Sequence, residues 1–223
     1  MDLIAECAAG CKALALSLPQ ERVLTLVRYV ELLAKWNKTY NLTAVRDPHE
    51  MLFKHVLDSL SIIPFVKEFR VLDIGTGGGL PGIPIAIACP QLQVTLLDSV
   101  AKKTTFLTQA VYDLQLSNVT VVNARLEDFR PEISFNTIVS RAFSTINVML
   151  SSAERLLCDQ GRMLAMKGVY PVGELQEVSK SSWLASVHAL TIPGVNAERH
   201  IVWLERNPCG KDYCNYESER GRG

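Results

Sequence analysis

From residue 70 onward, short apolar or β-branched runs recur along the chain: RVLDIG, QVTLLD, NVTVVNA, FNTIVS and GRMLAMK. Helical stretches separate them, around residues 81–89, 100–115, 145–158 and 171–182. Strands that alternate with helices require crossover connections, and those cover both faces of a parallel sheet. Two further strand candidates, near 184–192 and 199–205, have only a loop between them and are placed to close the sheet as an antiparallel pair. The expected fold class is therefore α/β, a doubly wound, mostly parallel sheet of seven strands. Residues 67–206 are expected to form this domain, and residues 207–223 a polar, flexible tail.

The first 66 residues read differently. In QERVLTLVRYVELLAKWNK, Val23, Leu26, Val27, Val30, Leu33 and Ala34 recur at helical spacing, and Leu24 and Leu32 widen the stripe. Asp47-Pro-His-Glu50 then supplies an N-cap, a proline at N1 and an acid in the first turn of another helix. With no strand of its own to pair, this segment is expected to pack on the sheet as a helical extension.

The stretch richest in chemistry is Val71-Leu-Asp-Ile-Gly-Thr-Gly-Gly-Gly-Leu-Pro-Gly82, which ends a strand at Gly75 and opens a helix near Pro81. Glycines there let backbone N–H groups approach a ligand and adopt positive φ. Gly77-x-Gly79-x-x-Gly82 has dinucleotide spacing but begins two residues after the strand has ended. The frame that starts at the strand end, Gly75-x-Gly77, places Leu80 where a dinucleotide site needs its third glycine. Asp73 suits a ligand bearing an ammonium and a sulfonium, with a cap for loop amides as the bland alternative.

The second strand ends in Asp98, placed to accept hydrogen bonds from two ribose hydroxyls or, alternatively, to cap the helix that carries Lys102 and Lys103. After the third strand, Leu126 and Glu127 lie where an adenine would be lined. Arg141 ends the fourth strand at the same rim, with a surface ion pair as its other reading. Enzymes that methylate exocyclic amines present Asn/Asp-Pro-Pro-aromatic after the fourth strand, where this chain has Ser140-Arg-Ala-Phe143. A cytosine-C5 enzyme needs a cysteine nucleophile, and the only Pro-Cys here is Pro208-Cys209 in the tail. Guanine N7 needs neither device, because its lone pair is available in the neutral base.

Together these residues identify the chain as similar to the small-subunit (16S) rRNA guanine-N7 methyltransferases, also called the glucose-inhibited division protein B family. The resemblance runs from about Val30 to Glu205. It is carried by Lys35-Trp-Asn-Lys-Thr-Tyr-Asn-Leu-Thr-Ala44, His55-Val-Leu-Asp-Ser59, GTGGGLPGIP, Leu97-Asp-Ser99 with Lys102, Ser140-Arg-Ala-Phe143, Met166-Lys-Gly168 and Glu198-Arg-His-Ile201. Gly78, where a proline is frequent, and Arg125-Leu-Glu-Asp128 are mild departures. The resemblance implies a class I, Rossmann-like methyltransferase domain that uses S-adenosyl-L-methionine. It also implies methyl transfer to a guanine near the decoding region, and carries cofactor contacts to Gly75, Leu80, Leu126, Glu127 and Arg141. Gly77 and Asp98 complete the expected cofactor site; no residue is assigned as a catalytic acid or base, and Arg141 is given a positioning role.

Charge limits how RNA can be held. Lys plus Arg equals Asp plus Glu at 23 each, so the chain is formally neutral, and the balance persists in each third. Non-specific binding to nucleic acid rests on a basic excess, so an RNA site must be a local patch made by folding. Lys35, Lys38, Arg46, Lys54, Lys102, Lys103, Lys167 and Arg199 are its candidates, each with a solvated charge as the bland alternative. Phe143 is a candidate stacking partner for a base, and His55 is read as structural. Six cysteines form no CxxC or zinc pattern, so free thiols are expected and no metal is assigned. The amino terminus lacks a basic n-region, and no apolar run reaches the roughly 20 residues of a membrane span. The expectation is a cytoplasmic monomer whose partner is 16S rRNA or a small-subunit precursor. The competing readings are a small-molecule methyltransferase, a catalytically silent RNA-binding module on the same scaffold, and an NAD-binding oxidoreductase.

Overall fold

A computed structural model describes residues 2–67, 69–142, 144–178 and 182–207. The amino-terminal part is helical: α1 (Leu3–Ala13), α2 (Gln20–Tyr40), then one continuous helical segment made of α3 (Pro48–Met51), a π-helical turn (Leu52–Leu57) and α4 (Asp58–Leu60). The α/β part follows as β1 (Arg70–Ile74), α5 (Gly82–Ala88), β2 (Gln93–Asp98), α6 (Ala101–Asp113), β3 (Val119–Asn123), β4 (Phe135–Arg141), α7 (Ile146–Ala153), β5 (Leu157–Lys167), α8 (Val172–Val178), β6 (Trp183–Ala189) and β7 (His200–Arg206). The strands form one sheet in the order β3-β2-β1-β4-β5-β7-β6, parallel except that β7 runs against both its neighbours. The expected seven-stranded, mostly parallel sheet and its closing antiparallel pair are both present.

Alternation along the central strands sends side chains to two separate cores. Val71, Val94, Leu96, Val139 and Leu164 face α5, α6 and the amino-terminal helices, whereas Leu72, Ile74, Leu97, Ile138 and Met163 face α7 and α8. The helical extension has no core of its own: Leu26, Val30 and Leu33 of α2 belong to the same buried cluster as Ile83 and Leu107. As the sequence suggests, Asp47 accepts from the Glu50 N–H at 2.9 Å and Pro48 opens the helix behind it.

Some local expectations need correction. Leu24 is exposed, and the apolar stripe misses two buried positions of α2, Tyr29 and Asn37. The helix expected over 145–158 ends early, and Leu157 and Cys158 begin β5, because Leu157 pairs with Phe135 of β4 ahead of a register irregularity. Pro81 caps α5 instead of occupying its first turn. Helix α8 is described over Val172–Val178, and residues 179–181 of the expected 171–182 lie outside the described residues, as does the tail from residue 208 onward.

Tyr29 joins the two parts of the chain. Its hydroxyl donates to the Gly78 carbonyl oxygen at 2.6 Å in a buried environment, which fastens α2 to the glycine loop. Replacing it with phenylalanine leaves that carbonyl without its partner, a loss of about 1–3 kcal/mol. Tyr29→Phe is therefore expected to lower the urea unfolding free energy by that order and to weaken cofactor binding, measured by equilibrium denaturation and calorimetry.

Candidate functional site

The order of the strands decides where a ligand goes. β1 lies between β2 and β4, so the chain reverses its direction of travel across the sheet there, and a crevice opens at the carboxyl ends of the strands. Parallel registers align those ends: Ile74 pairs with Leu97, Asp98 with Asn123, and Arg141 with Met166. The crevice is a cleft of about 260 Å³ lined by Gly75, Leu97, Asp98, Ser99, Val100, Lys103, Ala124, Leu126 and Ala142. Each of the first four strands contributes its own end or the loop that follows.

Two acids hold the glycine loop, each from a strand end. The Asp73 carboxylate is fully buried, and its Oδ2 accepts from the Thr76 hydroxyl at 2.6 Å and the Gly82 N–H at 2.8 Å. It thus ties the loop's beginning to the first residue of α5, the capping alternative of the sequence reading. Its Oδ1 is buried without a hydrogen-bond partner. Burial raises its pKa to about 7, against the hydrogen bonds from Thr76 and Gly82. Asp98 lies in the cleft: Oδ2 accepts from the Gly77 N–H and Oδ1 from the Val100 N–H, both at 2.9 Å, and the Lys103 ammonium stands 3.5 Å away. It steadies the turn into α6, the capping alternative, while Oδ1, with one acceptor position beyond the bond from Val100, remains at the cleft.

Gly75 and Gly77 have φ of +64° and +62°, a conformation that a Cβ disfavours. At Gly77 an added Cβ would meet only the Gly75 carbonyl oxygen, at 3.9 Å, so this part of the loop has open space beside it. At Gly82 a Cβ would come within 2.2 Å of Leu96 Cδ2, so that glycine serves helix–strand packing.

The structure brings Gly75, Asp98 and Leu126 together in the cleft and Gly77 into contact with it through Asp98. The other three expected residues stand elsewhere. Leu80 is buried in the core shared by α2, α5 and α6, turned inward by the same loop. Glu127 is 66% exposed and pairs with Arg125 at 3.6 Å outside the cleft lining. Arg141 is turned to the amino-terminal helices, where its Nη1 lies 3.4 Å from Asp58 Oδ2 and 3.3 Å from His55 Nδ1, while its neighbour Ala142 lines the cleft. Phe143 lies outside the described residues.

Sequence reasoning did not foresee this network beside the cleft. Asp58, nearly buried, shares its carboxylate between Arg141 and Arg199, whose Nε donates at 3.0 Å. Burial raises the Asp58 pKa, and the two guanidiniums oppose that rise. Burial, reinforced by Arg141, lowers His55 to about pKa 4, so its ring is neutral above that pH. His55 Nε2 meets the Thr43 hydroxyl at 2.6 Å, and Asn37 accepts from the Thr43 N–H and donates to the Val45 carbonyl. Trp36 stacks on Tyr40 with ring centroids 5.1 Å apart, and Asn41 caps α2 in the left-handed conformation and accepts from Arg46. The Trp-Asn-x-x-Tyr-Asn-Leu-Thr motif thus builds a rigid turn that delivers His55 and Asp58 to the end of β4. The signal was the spacing of His55-x-x-Asp58, which puts both side chains on one face of a helical segment, with His55 in its π-helical turn and Asp58 opening α4.

Of the eight candidate cations, four are tied to carboxylates: Lys54 to Glu50, Lys103 to Asp98, Lys167 to Glu174 and Arg199 to Asp58. Lys35, Lys38 and Arg46 line a second cleft of about 420 Å³ at the carboxyl end of α2.

The arrangement agrees with what this chain resembles. The family model for rRNA small subunit methyltransferase G matches residues 22–202. Ribosomal RNA small subunit methyltransferase G of Laribacter hongkongensis is 49% identical over 204 residues, covering 92% of this chain and 99% of that one. The protein of the same name from Pseudomonas aeruginosa PAO1 is 47% identical over 202 residues, covering 90% and 94%. Among solved structures, the glycopeptide N-methyltransferase MtfA has a TM-score of 0.59 at 12% identity, covering 72% of this chain and all of that one. DhpI, solved as a complex with SAH, has a TM-score of 0.56 at 13% identity, covering 82% and 96%. The two structures share the fold with this chain, and the match in sequence carries the closer conclusion: the chain belongs to the rRNA small subunit methyltransferase G family.

Proposed function

We propose that this protein transfers a methyl group from S-adenosylmethionine to N7 of a guanine in small-subunit ribosomal RNA. The observation that supports it best is the cleft at the carboxyl ends of β1 to β4, in a chain of this family. Its residues suit the cofactor: Asp98 Oδ1 offers an acceptor to a ribose, Ala124 and Leu126 an apolar wall to an adenine, and Gly75 a backbone without a side chain. Bound there, the cofactor supplies a methyl group activated on a sulfonium.

Guanine N7 carries a lone pair in the neutral base, so transfer requires no proton acceptor. The protein's task is then to hold the base in line and to exclude competitors, and positioning alone can supply much of the rate. The surroundings favour this over base catalysis: Asp98 and Lys103, the titratable groups of the cleft, are paired with each other, and His55 is engaged by Thr43 and Arg141. Arg141, bonded to the amino-terminal network next to the cleft, is the residue we assign to positioning the base. N7 inside an A-form duplex faces a groove too deep and narrow for a protein pocket, so the target guanine is unpaired or swung out. Formal neutrality makes affinity depend on local contacts and shape, which favours folded subunits or their precursors over short fragments. Among the described residues no helix is long and apolar enough to cross a membrane, and we place the reaction in the cytoplasm, with the protein acting as a monomer.

Calorimetry is expected to show binding of S-adenosylmethionine and none of NADH. Gly75→Val should abolish the former, with circular dichroism confirming that the fold persists; NADH binding more tightly than S-adenosylmethionine would overturn the cofactor assignment. Arg141→Ala should lower the single-turnover rate about 10- to 100-fold while cofactor affinity changes less than about threefold, as expected where positioning is lost. Primer extension or mass spectrometry should place the methyl group on guanine N7, and a methyl on an exocyclic amine or a ribose would refute the proposed acceptor.

The pH profile tests the mechanism separately. Because His55 is lowered to about pKa 4, its ring stays neutral and does not change protonation between about pH 6.5 and 8.5. His55→Gln should therefore leave the shape of the single-turnover profile in that range unchanged. A step with a histidine-like midpoint that disappears in the variant would establish a general base and contradict this scheme.

A further inference from the structure

The loop between β5 and α8 presents apolar surface to solvent at the carboxyl edge of the sheet. Val169 is 77% exposed, Tyr170 44% and Val172 59%. Among the described residues nothing in the packing requires them there, yet the loop is held firmly. The Gly168 carbonyl lies 2.9 Å from His200 Nδ1, the Val172 N–H donates to the Tyr170 carbonyl, and Pro171 is buried at the base. Just before the loop, Lys167 bridges both oxygens of Glu174 on α8. The Tyr170 ring meets His200 edge-on, with centroids 5.5 Å apart, so one ring supports the other.

Charge sits beside this surface. Arg199 precedes His200 and lies against the loop, since a Cβ built on Gly168 would stand 4.0 Å from its Nη1. Arg199 and Arg141 share Asp58, and Arg141 adjoins the cleft through Ala142. An exposed aromatic face beside guanidinium groups offers the two recognition elements of an unpaired nucleotide, a surface for the base and charge for its phosphate. A peptide partner would draw on the apolar side chains but gives no reason for the two arginines to be anchored alongside.

We infer that Tyr170, supported by His200, is a stacking platform for an unpaired base of the RNA substrate next to the methylated guanine. This rests on the proposed rRNA methyl transfer and adds to it a specificity-determining residue. Stacking is sequence-tolerant, so the platform recognises that a base is unpaired more than which base it is.

The test uses the full chain with Tyr170→Ala and Tyr170→Phe, small subunits lacking the modification, and naked small-subunit rRNA. Loss of one base–aromatic contact corresponds to about a 10-fold rise in KM for subunits and in the Kd for naked rRNA in Tyr170→Ala. Its kcat, its cofactor affinity and its thermal midpoint should stay near wild type, because the ring is half-exposed and outside the cleft. Tyr170→Phe keeps the ring and should restore wild-type values. Unchanged KM in Tyr170→Ala would overturn the inference, as would an equal loss in Tyr170→Phe, which would point to the hydroxyl. Weaker binding to subunits with unaltered binding to naked rRNA would also overturn it, in favour of a ribosomal protein contact. A wild-type protein that methylates neither substrate would instead remove the functional reading beneath it.

Discussion

The position of β1 between β2 and β4 is the constraint from which the site follows. Parallel pairing on both sides brings three strand ends to one edge, and the opposite directions of their connections leave a gap above it. The strands then need only terminate in suitable groups. Asp73 and Asp98 do so at neighbouring ends, and between them they accept from the Thr76 hydroxyl, the Gly77 amide and the Gly82 amide that opens α5. The loop's conformation is thus set by carboxylates on rigid strands, a more exact support than the loop could supply for itself.

The helical extension completes this scaffold. Tyr29 fastens α2 to Gly78, and the turn after α2 passes its order through Thr43 to His55 and onward to Arg141. The chain of contacts ends at the carboxyl terminus of β4. Residues distant in sequence, from Asn37 to Arg199, therefore share one rim. The amino-terminal helices act as the wall of the site as much as a cover for the sheet.

Much of this was legible beforehand. Short apolar or β-branched runs separated by helical stretches indicated the sheet, and strand ends at glycine or aspartate marked Gly75 and Asp98, because these depend on local sequence. Leu80 and Glu127 were different, since a family motif names a position without saying whether its backbone or its side chain faces the ligand. Leu80 turns into the core and Glu127 outward to Arg125. Arg141 was seen as a rim residue with an ion pair as the alternative, but its partner Asp58 lies 83 residues away, and no spacing rule reaches so far. Tyr29 escaped notice because an aromatic with a hydroxyl interrupts an apolar stripe, and only the folded loop supplies its acceptor.

The one-to-one pairing of Lys54, Lys103 and Lys167 with carboxylates bears on how such a protein would live among a great excess of other RNA. Cations already neutralised by fixed acids offer little to a passing polyanion, since counterion release rewards only charge that is free to replace counterions. Transfer RNA and mature ribosomes would compete poorly for it, and few copies would be lost to idle complexes. The same internal neutralisation that makes the chain look unsuited to RNA would leave its choice of RNA to local contacts and shape.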